Sequence, residues 1–203
     1  MTLYRLKPRF QDLLRPLVRR LARAGITANQ VTIAGAAGSL GLGAFLSLYP
    51  ETRWLFALLP LWLGARMALN AIDGMLAREH DQASRLGAYL NELGDVVSDA
   101  ALLLPLAFVP PFSGFWVATV IFLLTLSEFA GVLTQAQGAA RRYDGPLGKS
   151  DRALALGLLG LWIAGASELP AAAAWLLPLI GVGLVATIVR RLAAGLEAQE
   201  TRT

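Results

Sequence analysis

Long apolar runs separated by short polar connections dominate the chain after its first thirty or so residues. The runs cover about residues 30–49, 54–76, 86–109, 112–134, 153–166 and 171–189. Most approach the ~20 residues that a helix needs to cross a ~30 Å hydrocarbon layer. The fifth is short and can extend back through Asp151. Pro50, Pro110, Pro111 and Pro170 punctuate the connections after the odd-numbered runs, where proline ends helices. Backbone groups in lipid must find partners within their own segment, so these spans are predicted as helices. The pattern thus predicts an all-α polytopic membrane protein with six transmembrane helices.

Residues 1–28 follow a different pattern. Leu3, Leu6, Phe10, Leu13, Leu14, Leu17, Val18 and Leu21 recur at helical spacing, and Arg5, Lys7, Arg9, Arg15, Arg19, Arg20 and Arg23 fill most of the remaining positions. This is the pattern of a basic amphipathic helix lying on a membrane surface. It lacks the continuous apolar core and small-residue cleavage site of a signal peptide. Three units are expected: an amphipathic juxtamembrane helix at 1–28, a six-helix catalytic domain at 29–192 and a cytoplasmic tail at 193–203.

Composition agrees. Of 203 residues 56% are hydrophobic and 16% charged, well below the roughly 25% charged of an average soluble domain. A disordered chain, a Lys/Arg-rich nucleic-acid-binding domain and most soluble folds are excluded. The absence of cysteine and the single histidine, His80, exclude disulfides, thiolate metal sites and His-rich sites. His80 falls in a polar connection and reads as a solvated side chain. The net charge is only +4, yet the cations are placed asymmetrically. The N-terminal helix, the connections holding Arg78 and Arg85 and then Arg141, Arg142, Lys149 and Arg152, and the segment with Arg190, Arg191 and Arg202 account for all but Arg53 and Arg66. The positive-inside rule then puts both termini and these connections in the cytoplasm, at the inner membrane. Trp54, Trp116 and Trp175 fall near the predicted outer interface, as belt residues.

Charged residues inside spans are costly and mark function. Spans two and three carry Arg66, Asn70, Asp73, Asn91, Glu92, Asp95 and Asp99. Asn70 and Asp73 share a helix face, as do Asn91, Asp95 and Asp99. A short connection makes the two helices antiparallel neighbours, so the two sets meet near their cytoplasmic ends. Clustered oxygens without His or Cys suit a hard divalent cation: Mg²⁺ or Mn²⁺, or Ca²⁺ as a surrogate. Such an ion beside basic residues at the membrane face suits a pyrophosphate substrate. Gly74 and Gly87 leave room for a ligand against the helix backbones.

The stretch Asp73-Gly74-x2-Ala77-Arg78-x8-Gly87, followed by Asp95, resembles the CDP-alcohol phosphotransferase signature, D-x2-D-G-x2-A-R-x8-G-x3-D-x3-D. The segment from Ile26 to Thr32 is similar to that family's entry into the first span, and Gly148-Lys149 to its basic acceptor-binding loop. The resemblance implies a membrane enzyme of phospholipid biosynthesis, a homodimer with a cytoplasmic site. It would transfer a substituted phosphate from CDP-diacylglycerol or a similar CDP-lipid to a small alcohol acceptor, releasing CMP. It implies Asp95 as base, metal ligands at Asn70, Asp73, Asn91 and Asp95, and nucleotide contacts at Asp73, Gly74, Ala77, Arg78, Gly87, Asn29 and Thr32. Acceptor or phosphate contacts fall to Lys149, Arg152 and Arg66.

Two departures qualify this. Asn70 and Asn91 stand where the family has its first and third aspartates. The quartet's charge falls from four negatives to two, which points to one tightly held metal rather than two. It also motivates an alternative, a catalytically impaired CDP-lipid-binding or scaffold protein; a small transporter ranks last, because the acids crowd toward one face. Lys149 and Arg152 either favour an anionic acceptor, such as glycerol 3-phosphate or an inositol phosphate, or bind the CDP phosphates instead, with serine, choline or a lipid hydroxyl open. Arg66 and Glu128 either line the acceptor pocket or pair with each other. Glu92 and Asp99 either support the site or bond a neighbouring helix. Asn29 and Thr32 either cap the first span or touch nucleotide.

Overall fold

The computed structural model describes residues 2–200, with side chains for residues 9–198. Arg5, Lys7 and Arg202, counted above among the cytoplasmic cations, lie outside those side chains. Seven helices follow one another: α1 (Thr2–Arg23), α2 (Ala28–Leu48), α3 (Leu58–Glu79), α4 (Arg85–Leu103), α5 (Gly114–Ala136), α6 (Lys149–Gly165) and α7 (Leu176–Glu200). Short 3₁₀ turns at Arg53–Ala57, Leu104–Phe108 and Ala171–Trp175 precede α3, follow α4 and precede α7. No strand occurs among the described residues.

Among the described residues, four segments are long and apolar enough to cross a membrane: Ala28–Leu48, Arg53–Glu79, Gly114–Ala136 and Ala171–Ala198. The other two predicted spans are helices of a different kind. α4 carries Arg85, Glu92, Asp95 and Asp99 along its length, and α6 has only 17 residues even though it starts at Lys149, ahead of the predicted boundary. Both belong to the bundle by packing. Leu102 and Leu103 of α4, and Leu156, Leu159 and Ile163 of α6, join Leu59, Leu63, Val120, Leu124, Leu177 and Leu184 in one buried core.

α1 lies on the end of this bundle. Val18 is fully buried, and Leu14, Leu21 and Ala22 pack with it on Ile72, Met75 and Leu76 of α3. Arg15 clamps Glu79 with two hydrogen bonds, at 3.0 and 3.2 Å, while Arg19, Arg20 and Arg23 stay exposed. Gly25, at φ 75°, ends the helix in a conformation that glycine adopts without a Cβ penalty. α2 then starts from a capping box: Thr27 Oγ1 accepts from the Gln30 amide, and Gln30 Oε1 accepts from the Thr27 amide. The cap is therefore Thr27, not Asn29 or Thr32, and those two residues are left free to face the site. The amide of Ala28 donates to Gln82 Oε1 at 2.7 Å, which fastens the α3–α4 connection to the start of α2.

At the other end of α2 the chain approaches α4 backbone to backbone. A Cβ on Gly43 would stand 2.1 Å from the carbonyl oxygen of Ala101. Backbone cannot move aside as a flexible side chain can, so Gly43→Val should cost about 2–3 kcal/mol through overpacking. Thermal unfolding of the detergent-solubilised protein would register this as a midpoint several degrees lower; an unchanged midpoint would show that the two helices can part without cost.

Candidate active site

The last turns of α3 and the first half of α4 run antiparallel, joined by the connection from His80 to Ser84. Ser84 Oγ caps α4 by accepting from the Gly87 amide at 2.9 Å. The facing sides of the two helices open into a cleft of about 520 Å³. Asn70, Asp73, Gly74, Ala77 and Arg78 line it from α3, and Gly87, Asn91, Glu92 and Asp95 from α4. Asn29 and Thr32 enter from α2, and Lys149 from the first residue of α6. Eleven of the thirteen residues expected at the site thus line a single cleft, and Arg66 and Arg152 do not.

The glycines act by absence. A Cβ on Gly87 would lie 2.8 Å from Asn29 Oδ1, and one on Gly74 would lie 3.0 Å from Arg78 Nη2. Gly87 therefore admits the Asn29 amide, and Gly74 lets Arg78 fold back along its own helix. Asp73 is buried, and its Oδ2 accepts from Thr32 Oγ1 at 2.8 Å. The Thr32 hydroxyl has one proton, and the Ala28 carbonyl also lies within reach at 3.1 Å. The shorter contact is to the charged acceptor, so the proton belongs to the carboxylate.

Asp95 is held on both oxygens. Lys149 Nζ donates to Oδ2 at 2.5 Å, and Arg66 Nη2 donates to Oδ1 at 3.2 Å and to the Asp95 carbonyl at 3.1 Å. Arg66 also pairs with Asp99, whose other oxygen accepts from Arg152 at 3.1 Å. Arg152 in turn donates to Glu128 Oε1 at 2.8 Å. Arg141, in the connection before α6, donates to Glu128 Oε2 at 3.0 Å and pairs with Glu92. Arg191 of α7 completes the group, 3.4 Å from Glu128 Oε2. Burial holds the Arg141 guanidinium below the ordinary arginine value, with Arg191 adding to the shift and Tyr143, 4.8 Å away, opposing it.

Several expectations change here. Arg66 and Arg152 do not present themselves to a ligand; both are buried on carboxylates, because an unpaired guanidinium among apolar helices is too costly. Arg66 and Glu128 do not pair with each other: each finds its partners on other elements. Asp99 and Glu92 bond neighbouring cations. Glu128, weighed as a lining residue of the acceptor pocket, does line the cleft, and so do Arg141, Tyr143 and Arg191, which were not expected as site residues. Glu128 did signal itself, as a charge within an apolar run. Arg141 and Arg191 were indistinguishable from ordinary cytoplasmic anchors. Among the described residues, no three His, Cys, Asp or Glu side chains gather as a metal-binding set. Amides at positions 70 and 91 leave Asp73 and Asp95 as the acids of the quartet.

Membrane-length helices enclosing a cleft of carboxylate, amide and guanidinium groups suit a membrane-embedded enzyme that handles phosphate esters. More particularly, the chain belongs to the CDP-alcohol phosphatidyltransferase family, whose model matches residues 25–189. It is similar to the inner membrane protein YnbA of Escherichia coli (strain K12), with 52% identity over 164 residues and 81% of each chain covered. It is 31% identical to the phosphatidylinositol phosphate synthase of Mycolicibacterium smegmatis over 170 residues, covering 79% of this chain and 71% of that one. Among solved structures it resembles the Mycobacterium tuberculosis phosphatidylinositol phosphate synthase with CDP-DAG bound. That match has a TM-score of 0.72 and 25% identity, covering 89% of this chain and 92% of that one. The same mycobacterial enzyme has been crystallised with manganese and citrate; this chain shares its fold at a TM-score of 0.71 and 24% identity, covering 89% of this chain and 88% of that one.

Proposed function

We propose that this enzyme transfers the diacylglycerol-bearing phosphate of CDP-diacylglycerol, or of a similar CDP-lipid, to an alcohol hydroxyl. The observation that carries this reading is the convergence of the complete spaced set, Asn70 to Asp95, on one cleft. Asp95 takes the proton of the acceptor hydroxyl. The freed oxygen bonds to the lipid-bearing phosphorus, the bond from that phosphorus to the bridging oxygen breaks, and CMP leaves with the electron pair. Of the two cations on Asp95, Lys149 is the exchangeable one: it is 39% exposed against 5% for Arg66. Arg66 keeps the carboxylate aimed. Arg78, Gly74, Ala77, Gly87, Asn29 and Thr32 form the nucleotide end.

The donor set of two carboxylates and two amide carbonyl oxygens fits one hard divalent cation, Mg²⁺ or Mn²⁺. Asn70, Asp73, Asn91 and Asp95 would hold it. When bound, such an ion neutralises pyrophosphate charge. The proposal includes six membrane crossings, with α4 and α6 shielded by their neighbours and α1 lying on the cytoplasmic surface. The limits 1–28, 29–192 and 193–203 and a homodimeric assembly belong to it too. Lys149 and Arg152, which favoured an anionic acceptor such as glycerol 3-phosphate or an inositol phosphate, both rest on carboxylates, Arg152 buried and Lys149 exchangeable.

The test is CMP release from CDP-diacylglycerol by pure protein in nanodiscs, across a panel of alcohols. Release should depend on the acceptor, stop on chelation and return with Mg²⁺ or Mn²⁺. Release that persists in chelator would refute the metal role. One observation favours a second reading, as a CDP-lipid-binding protein: both Asp95 oxygens are already paired. CDP-diacylglycerol binding without acceptor-dependent CMP release would establish that reading instead.

A further inference from the structure

Part of the cleft is built by α5, the connection after it and α7, and its centre is Glu128. Arg152 and Arg141 donate to its two oxygens at 2.8 and 3.0 Å, and Arg191 lies 3.4 Å away. Three guanidinium groups converging on one point make a recognition set for a phosphate monoester, which offers oxygens for planar, charge-assisted hydrogen bonds. Here the chain supplies that anion itself. Glu128 is buried, and the donors aimed at it are further committed. Arg152 also donates to Asp99 and to the Leu147 carbonyl, Arg141 pairs with Glu92, and Arg191 donates to the carbonyls of Ser127 and Asp144.

The charge balance of the cleft says the same. Arg78, Arg141, Lys149 and Arg191 line it against Asp73, Glu92, Asp95 and Glu128. The substrate pyrophosphate and one divalent cation would offset each other. A second phosphate, carried by the acceptor, would have to lie against Glu128 away from bulk water, where like charges repel strongly.

We propose that Glu128 sets acceptor specificity by filling the arginine cluster, so that the site takes an alcohol without a phosphate group and rejects its phosphorylated counterpart. The inference rests on the transferase reading of the same cleft, and the experiment separates the two.

Full-length protein in nanodiscs is compared with Glu128→Gln, using glycerol against glycerol 3-phosphate and inositol against inositol 1-phosphate. In the binding arm, the affinity for radiolabelled glycerol 3-phosphate should rise about tenfold or more in Glu128→Gln, because a neutral amide no longer repels the phosphate. In the turnover arm, the wild type should release CMP at least about tenfold faster with each unphosphorylated alcohol than with its phosphate. Equal binding by wild type and variant, or faster wild-type turnover with the phosphorylated partner, would overturn the proposal. If Glu128→Gln does not fold, the matched acceptor pairs on the wild type decide alone. If no alcohol releases CMP, the transferase reading fails, and the binding arm still decides the role of Glu128.

Discussion

Replacing Asp95 by asparagine is expected to reduce acceptor-dependent CMP release by about a thousandfold, within the range lost when a positioned general base is removed. The fold should survive. An asparagine there has the shape of the aspartate, and its single side-chain oxygen still accepts from Arg66, while the more exposed Lys149 turns to water. What disappears is the site for the acceptor's proton, together with one of the two negative charges that would hold a divalent cation. Measured side by side in nanodiscs, the variant should bind CDP-diacylglycerol within severalfold of the wild type while turnover collapses. Retained turnover would move the base elsewhere, with Asp73 the next carboxylate in the cleft.

Arg66→Leu carries the largest expected effect on stability. Arg66 reaches from α3 to two carboxylates and a carbonyl of α4, and is 5% exposed. Breaking a buried pair by removing one partner costs about 3–5 kcal/mol, since the other charge stays behind without water. At roughly 2–4 °C of midpoint per kcal/mol for a chain of this size, the loss should be on the order of 10 °C in thermal unfolding. Arg66→Leu combined with Asp99→Leu should recover only part of this: one of the two carboxylates is gone, but Arg152 loses its Asp99 partner and keeps Glu128 and the Leu147 carbonyl. A midpoint within a degree of wild type for the single variant would mean that water already reaches Arg66.

The helices and the gathering of the candidate residues in one cleft were legible in the sequence for a simple reason. Apolar length and helical spacing are local properties, and so is the succession from Asn70 to Asp95, which spans one helical hairpin. The partners of the charges were not legible. Arg152 reads along the chain as one more cytoplasmic cation, and only the approach of α4 and α5 to α6 turns it into the buried bridge between Asp99 and Glu128. The same holds for Arg191, whose partner Glu128 sits two helices earlier. Thr27 was legible as a cap in principle, since Thr27 and Gln30 have the spacing of a capping box. Thr32 could be tied to Asp73 only once α2 and α3 were packed together.

The contact at Gly43 also bears on how the site is held open. α2 is a single stiff rod. Its far part is pressed onto α4 with no side chain between, and its near end presents Asn29 and Thr32 to the cleft about 20 Å away at 1.5 Å per residue. That near end is fixed too: the Ala28 amide is bonded to Gln82, and Asn29 and Thr32 lie against Gly87 and Gly94 of α4. α2 is thus fastened to its neighbours at both ends, and glycines on either helix set how closely the two approach. Asn29 and Thr32 are held in register with Asp73 and Gly87 by this packing, so an added side chain at Gly43, far along the rod, would be felt in the width of the cleft.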